Sequence, residues 1–142
     1  MPTDVGVVKE ITVGFGEFLD GLGVGVWSSG SIPTDQTAIV LGPIPQEFDN
    51  AIGLQPGIVS SERQVGVGVL RMQVYTRAPS PSQLLDLRGA VKEAVDGKRY
   101  VNAGGHVLPL IWYSSGVDLS EDHGRSFEAS DNYYMHYSQP ER

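Results

Sequence analysis

One stretch of the chain, residues 63–97, constrains the fold more than any other, because a long strand pattern leads directly into a well-marked helix. The helix signals are Ser80 as N-cap, Pro81 at the first helical position and Gln83 where a capping box places Glu or Gln. Gly97 follows as the glycine after the helix. Between these signals, apolar residues recur at three- and four-residue steps and form one stripe: Leu84, Leu87, Val91, Ala94 and Val95.

The strand pattern before this helix, residues 64–77, alternates with a period of two but changes phase in the middle. Its apolar residues fall into two sets of opposite phase, namely Val65, Val67 and Val69, then Leu70, Met72 and Val74. A change of phase predicts either a β-bulge near Val69 and Leu70 or a strand centre that is buried on both faces.

The rest of the chain predicts one more helix and several strands. Residues 4–21 have an amphipathic helical pattern, although Gly6, Gly14 and Gly16 each cost about 1 kcal/mol relative to Ala. The apolar stripe of this helix consists of Val5, Val8, Ile11, Phe15, Phe18, Leu19 and Leu22. Further strands are predicted over 37–41, 50–59, 98–101, 106–113 and 126–138, with a turn at 102–105 and edge or bulge positions at Pro56 and Pro109.

This order of elements predicts an α+β fold. We expect a mainly antiparallel β-sheet with two α-helices packed on one face, in a single domain that spans residues 1–142. The polar segment 114–125 is predicted to be a long loop between the last two strands.

The composition limits the classes of protein to consider. With 142 residues, of which 40% are hydrophobic, the chain can bury a core and is not typical of a disordered protein. It has no cysteine, which excludes a disulfide framework, and no apolar run approaches the roughly 20 residues of a membrane span. The N-terminus lacks the basic and apolar regions of a signal peptide, so we expect a soluble protein of the cytoplasm.

The net charge of −7 is unevenly distributed. Residues 60–101 carry seven basic and four acidic side chains, whereas the segments on either side are acidic. An acidic chain is a poor candidate for wrapping nucleic acid, which requires clustered Lys and Arg. A basic middle between acidic ends would instead allow copies of the chain to dock on one another, and the alternative is ordinary scatter of surface charge.

Every segment that resembles a catalytic or cofactor-binding motif lacks an essential part. The glycines of residues 14–25 neither follow a strand nor open a helix, and no Walker lysine is present. Segment 118–129 resembles a calcium loop, but His123 and Ala129 stand where an EF-hand needs Gly and Glu. The three histidines are isolated, and there is no Gly-x-Ser-x-Gly elbow. We therefore expect no catalytic, cofactor-binding or metal site and no enzymatic activity.

Aromatic residues near the C-terminus leave one alternative open. Asp131 beside Tyr133 and Tyr134 matches an acid flanked by aromatics that stack on a sugar, although tyrosines in such positions more often pack a sheet. A small ligand-binding or enzymatic α+β domain is therefore the alternative from a different class of protein.

Four segments together resemble the tail terminator family of long-tailed bacteriophages, whose members are often called minor capsid or minor tail proteins. These segments are the opening helix with residues 21–27, and residues 39–45, 68–77 and 116–137. The most specific part is the run Ser-Asp-Asn-Tyr-Tyr at 130–134, which follows a Gly-Arg pair at 124–125. The extra glycines in the first helix and the long loop 28–35 depart from the family pattern.

The resemblance implies a structural role without chemistry. Proteins of this family form a six-subunit ring on the finished tail tube, which stops further polymerisation and presents the surface that joins the head. The implied partners are other copies of the chain, the tail tube protein and the head–tail connector or stopper, with DNA only passing through the lumen and no membrane involved. The implied location is the tail or neck of a virion assembled in the cytoplasm of the host bacterium. Another head–tail connector component, such as a stopper or head-completion protein, is the nearest alternative.

The residues of the chain, rather than the resemblance, suggest two sets of contacts. Basic residues in and before the second helix are candidates for a subunit interface: Arg71, Arg77, Arg88 and Lys92. The loop predicted over 114–125 would project toward the tail tube or the ring lumen, and its candidate contact residues are Asp118, Glu121, Asp122 and Arg125. In a lumen, these acids would repel the phosphates of passing DNA.

Overall fold

A computed structural model of the chain describes residues 4–27, 31–62, 67–122 and 126–138. Its two helices are α1 (Asp4–Gly21) and α2 (Pro81–Val95). Its strands are β1 (Val26–Trp27), β2 (Ala38–Leu41), β3 (Ala51–Glu62), β4 (Val67–Ala78), β5 (Arg99–Ala103), β6 (His106–Asp122) and β7 (Ser126–Ser138).

The strands form a mixed sheet in the order β1-β2-β3-β4-β7-β6-β5. The prediction of a mainly antiparallel sheet is wrong, because β2 runs parallel to both β1 and β3. The physical reason is the segment 42–50, which carries the chain back along the sheet so that β3 starts beside the start of β2. This segment packs Phe48 against Ala38 and Ala51 in a small second cluster of buried residues.

The sheet curls around α1 into a half-barrel, since α1 contacts β1, β2 and β3 near one edge and β5 at the other. Ile11, Phe15 and Leu19 of α1 are fully buried in the main core. Residues of α2 and the inward side chains of the central strands belong to the same core, so both helices lie on the concave face. The predicted helix over 4–21 is confirmed, but Val5 and Leu22 at its ends are exposed.

Close packing against other parts of the fold explains two glycines of α1. A Cβ atom added at Gly14 would overlap the backbone of Ala103 and Gly104, and one added at Gly16 would overlap the Trp27 ring. The helix therefore approaches the β5–β6 turn and Trp27 more closely than any other residue type would allow.

Helix α2 has the predicted termini. The Ser80 hydroxyl accepts a hydrogen bond from the Gln83 N–H at 3.2 Å and donates one to Gln83 Oε1 at 3.0 Å. Gly97 has the positive φ of 75° that favours glycine after a helix, and its N–H donates to the Ile111 carbonyl. Leu84, Val91, Ala94 and Val95 are the buried residues of its apolar face.

A β-bulge lies at the level of the sheet where one was predicted, near Val69 and Leu70 of β4. It is on the neighbouring strand, β3. Ile58 pairs with Leu70 and Ser60 pairs with Val69, so the extra residue is Val59 of β3. In β4 itself, Leu70, Met72 and Val74 all face the core, and residues 64–66 of the predicted strand lie outside the described residues.

Strand β3 is interior for its first half and an edge for its second. Its pairing with β2 ends at Leu54, beyond which β4 is the only partner that the described residues supply. The Asn50 and Leu54 carbonyls face β2, and Pro56 has the same phase, so its missing N–H would point to the free edge. The edge position predicted from Pro56 is therefore correct for residues 55–62, although Pro56 does not interrupt the strand.

The β5–β6 turn is confirmed, with positive φ values of 62° at Gly104 and 85° at Gly105. Pro109 faces Tyr100, which has a φ of 57°, and this pair is skipped in the register of the two strands. Pro109 cannot donate a backbone hydrogen bond, and the pairing of β5 with β6 is irregular at this residue. This agrees with the edge or bulge predicted at Pro109.

The loop predicted over 114–125 is wrong, because β6 continues to Asp122 and pairs with β7 to the last described residues. The register shifts between Tyr113 and Ser115 and again between Asp118 and Ser120. Each shift inserts one residue, so the period of two is lost twice and the sequence no longer resembles a strand. The strand predicted over 126–138 is confirmed as β7.

Candidate functional site

The most highly connected polar group in the described part of the chain is the Arg88 guanidinium of α2. Its Nε and Nη2 atoms donate to the two carboxylate oxygens of Asp131 on β7, each at 2.9 Å. Its Nη1 atom donates to Asp118 Oδ1 on β6 at 3.0 Å. One arginine therefore ties the second helix to both strands of the β6–β7 hairpin.

The two ion pairs of Arg88 differ in strength because the two acids differ in burial. The side chain of Asp131 is 5% exposed, whereas that of Asp118 is 74% exposed. A bidentate pair shielded from water is held more strongly than a single contact at the surface, where solvent screens the charges. The hydrogen bonds that Arg88 donates to Asp131 accordingly raise the pKa of Arg88, which stays charged. Asp131 therefore forms the stronger ion pair with Arg88, and Asp118 forms a weaker ion pair at the surface.

Two neighbours complete the surroundings of Asp131. The Tyr113 hydroxyl donates to Asp131 Oδ1 at 3.2 Å, and a Cβ atom at Gly116 would overlap that same oxygen. Burial, with the charge and hydrogen bond of Asp131, raises the pKa of Tyr113. Burial followed by the charge of Asp131 likewise raises the pKa of Tyr133, whose ring meets Tyr113 edge to face. We name the group Arg88, Asp131, Asp118, Tyr113 and Gly116 the Arg88 cluster.

The Asp131 carboxylate accepts hydrogen bonds from Arg88 and Tyr113, which connect it to α2 and β6. The sugar-stacking alternative fails on geometry, since Tyr133 is buried in the core and Tyr134 lies on the opposite face of the sheet. No group of three or more His, Cys, Asp or Glu side chains in residues 4–27, 31–62, 67–122 and 126–138 is arranged to hold a metal ion. None of the helices in these ranges has the length and apolarity to span a bilayer.

The four basic residues proposed for a subunit interface have different environments. Arg88 is held in its own cluster, and the Lys92 ammonium lies 4.4 Å from the centre of the Tyr113 ring as a cation–π contact. Arg77 donates to the Pro45 and Phe48 carbonyls and pairs with Glu128 at 3.4 Å, which fastens segment 42–50 to the sheet.

Arg71 differs from these three. Its side chain is exposed beside Gly57, and no acid in the described part of the chain lies within ion-pair distance of it. Arg71 is thus the member of the set whose charge is available to another molecule.

The acids proposed for the loop are not gathered at one point. Asp118 lies opposite Ala129 and is paired with Arg88, so a residue from each predicted set meets the other within one subunit. Glu121 and Asp122 occupy the last pairs of the hairpin, opposite Phe127 and Ser126. Arg125 lies outside the described residues.

The sequence analysis missed the pairing of Arg88 with Asp131, although one signal for it was present. Asp131 lies in phase with Ala129, Tyr133 and Met135, which are buried residues of β7. An acid at an inward position needs a cation or several hydrogen-bond donors, because burying an unpaired carboxylate is costly. The aromatic group on the convex face of the sheet was not predicted for a different reason. Strand pairing brings its residues together, and they are distant in sequence.

That convex face carries a group of partly exposed aromatic rings. The Trp112 ring stacks on Tyr134 with centroids 5.8 Å apart and meets His136 edge to face at 5.3 Å. Arg71 of β4 pairs directly with Tyr134 of β7 on this face, and its guanidinium extends from there over Gly57 of β3. We name Arg71, Trp112, Tyr134 and His136 the convex aromatic face.

Comparisons with known proteins show the fold of the chain. No protein-family model and no curated protein matches it. A solved structure of the virion of a native gene transfer agent particle contains a similar chain, with a TM-score of 0.58. The match covers 70% of this chain and 78% of that chain at 11% sequence identity, so the similarity is one of architecture.

Proposed function

We propose that this chain is a structural protein of a phage-like particle and, within that class, a tail terminator. In this role, six copies form a ring on the finished tail tube, stop its polymerisation and provide the surface that joins the head. The role requires no cofactor and no catalysis. The partners would be other copies, the tail tube protein and the head–tail connector, with DNA passing through the lumen of a virion assembled in the host cytoplasm.

The observation that carries this proposal is the likeness of fold to a chain of the gene transfer agent virion over 70% of the present chain. It agrees with the resemblance of four sequence segments to the tail terminator family. The two observations are independent, because the fold comparison detects strand order and packing at an identity of only 11%.

The use of the polar residues also favours a structural role. The buried acid Asp131 is occupied by Arg88 and Tyr113, and Arg77 fastens segment 42–50. A catalytic acid or base needs access to a substrate and a pKa suited to proton transfer. Asp131 and Arg77 are instead occupied by contacts that join elements of the fold.

The arrangement of the hairpins suits a component that joins two others. Val67 pairs with Ser138 and Ala78 pairs with Phe127, so the β3–β4 and β6–β7 connections lie at opposite ends of the sheet. A ring subunit on a tube needs one surface for the tube and another for the neck. Two hairpins that extend in opposite directions provide such surfaces without a second domain.

Fractionation of assembly intermediates tests this proposal against the nearest alternative. Heads and tails made separately by the particle that encodes this chain would be purified and probed with an antibody against it. A tail terminator is expected on tails that have never met a head. Its presence on DNA-filled heads and its absence from free tails would instead identify a stopper or head-completion protein.

A further inference from the structure

Two surfaces on opposite sides of the subunit carry charged side chains without an ion-pair partner in the described part of the chain. The first is the convex aromatic face of Arg71, Trp112, Tyr134 and His136, on which Arg71 is exposed and the three rings are partly exposed. Segment 42–50 covers the convex side near β2 and β3, where it packs on Ala51 and Gly53.

The second surface is the outer face of α2, which we define as Leu85, Asp86, Gly89 and Glu93. All four residues are exposed, and Leu85 is 63% exposed. An added Cβ atom at Gly89 would meet no other atom within 4 Å, so another surface can approach the helix backbone there. No described basic residue forms an ion pair with Asp86 or Glu93.

The two surfaces carry opposite charges. The convex aromatic face offers an unpaired arginine and flat rings, whereas the outer face of α2 offers two unpaired acids beside an exposed leucine and a glycine. Trp, Tyr and Arg are the residues that most often contribute the binding energy of protein interfaces. A glycine allows a helix to come close to a ring system, which increases the area that is buried.

We infer that copies of this chain bind one another head to tail, with the outer face of α2 of one copy on the convex aromatic face of the next. Arg71 would pair with Asp86 or Glu93, and Leu85 would lie against Trp112. The contact joins two different surfaces, so it is heterologous and closes into a ring if the rotation between copies permits. This deepens the proposed ring and takes its biological meaning from that proposed function, but its test uses the protein alone.

The absence of cysteine from the chain allows a direct test by disulfide cross-linking. Asp86→Cys protein would be mixed with Arg71→Cys protein and oxidised at protein concentrations up to about 1 mM, the weak limit of a specific contact. A matched control mixes Asp86→Cys with Lys9→Cys, which removes the same charge from an exposed position on α1. Proximity raises the effective thiol concentration, so the Asp86–Arg71 pair should form disulfide dimers at least about tenfold faster than the control.

Charge reversal provides a second, independent measurement. Arg71→Glu alone, and Asp86→Arg with Glu93→Arg, should each weaken self-association in low-salt sedimentation by roughly fivefold or less per pair. Combining all three substitutions in one chain restores opposite charges and should restore association. Lys9→Glu is the control for net charge and should leave association unchanged.

Equal cross-linking rates for the Asp86–Arg71 and Asp86–Lys9 mixtures would overturn the inference, and so would a combined variant that associates no better than Arg71→Glu. The proposed function fails separately. Specific cross-linking by a protein that is found on heads rather than tails would leave this contact standing and refute the terminator role. A protein that caps tails but shows no specific cross-link would refute this contact and leave the terminator role standing.

Discussion

At the scale of single residues, the fold depends on the bidentate pair between Arg88 and Asp131. Replacing Arg88 with Met leaves a carboxylate that is 5% exposed with the Tyr113 hydroxyl as its remaining side-chain donor. Breaking a buried ion pair from one side costs about 3–5 kcal/mol in the free energy of unfolding. Asp118→Asn, by contrast, changes a side chain that is 74% exposed and should cost no more than about 1 kcal/mol. Urea unfolding of the two variants measures both values.

The double variant Arg88→Met with Asp131→Leu separates the loss of the pair from the cost of a stranded charge. Removing both partners of a buried pair and filling the space with apolar atoms is often close to neutral. We therefore expect the double variant to be more stable than Arg88→Met alone. A double variant that is less stable than Arg88→Met would show that Asp131 is not held mainly by Arg88.

The glycines of the two helices should respond in opposite directions to the same substitution. Gly→Ala inside an exposed helix usually stabilises by about 1 kcal/mol, and Gly89→Ala should do so because its surroundings are open. Gly14→Ala should instead destabilise by about 1–3 kcal/mol, since its methyl group would overlap the β5–β6 turn. Thermal unfolding measures both changes, and a stabilised Gly14→Ala would contradict the packing of α1 described above.

Tyrosine burial predicts a loss of stability at alkaline pH. Burial and the charge of Asp131 raise the pKa of Tyr133 in the folded state, whereas an unfolded tyrosine titrates near pH 10. Above about pH 10 the unfolded chain releases a proton that the folded chain retains, so the free energy of unfolding falls as pH rises through the folded pKa.

Tyr133→Phe removes this titration. Its stability should therefore depend less on pH than that of the wild type between about pH 10 and pH 12, as measured by urea unfolding across that range. Tyr100→Phe, at a tyrosine that is 73% exposed, is the matched control for the substitution itself. Parallel pH profiles for wild type and Tyr133→Phe would refute the assignment.

At the scale of elements, local signals predicted the structure well where they are complete within a few residues. The caps and apolar stripe of α2, the glycine turn of the β5–β6 hairpin and the alternation of β7 are all signals of this kind. Each depends on neighbours in sequence, so it can be detected without knowledge of the fold.

Prediction failed where an element depends on a distant partner. Bulges after Tyr113 and Asp118 hide β6 from a period-two pattern, and the parallel pairing of β2 follows from the path of segment 42–50. From the sequence alone, Gly14 and Gly16 only lower the helix propensity of α1. Their packing role depends on contacts with residues that are remote in sequence. Of the candidate site residues, Arg88 and Asp118 were named in separate sets. Their ion pair, and that of Arg88 with Asp131, depends on the three-dimensional register.

The end of the β6–β7 hairpin can be removed to test its role as a contact element. Glu121 pairs with Phe127, so an Asn-Gly turn that replaces residues 122–126 keeps this last pair and the Arg88 cluster. The shortened protein should unfold at a temperature close to that of the wild type. We expect it to fail to restore tails of normal length in a particle that lacks the native gene. Full restoration would show that the end of the hairpin does not contact the tail tube.

At the scale of the whole molecule, the layers and the charge of the subunit agree with the proposed ring. The helices fill the concave face, the convex aromatic face is left open, and two hairpins extend from opposite ends of the sheet. A net charge of −7 per copy would give a six-subunit ring a strongly negative field. Such a field repels phosphate, so DNA would pass through the lumen without binding.

In the proposed function, this chain stops growth of the tail tube. Electron microscopy of particles produced after deletion of its gene, with tail length measured on each particle, tests this role. We expect tubes of variable and excessive length that lack heads, beside intact heads, and recovery of uniform tails when the wild-type gene is supplied. Tails of normal, uniform length in the absence of the protein would contradict the proposed role.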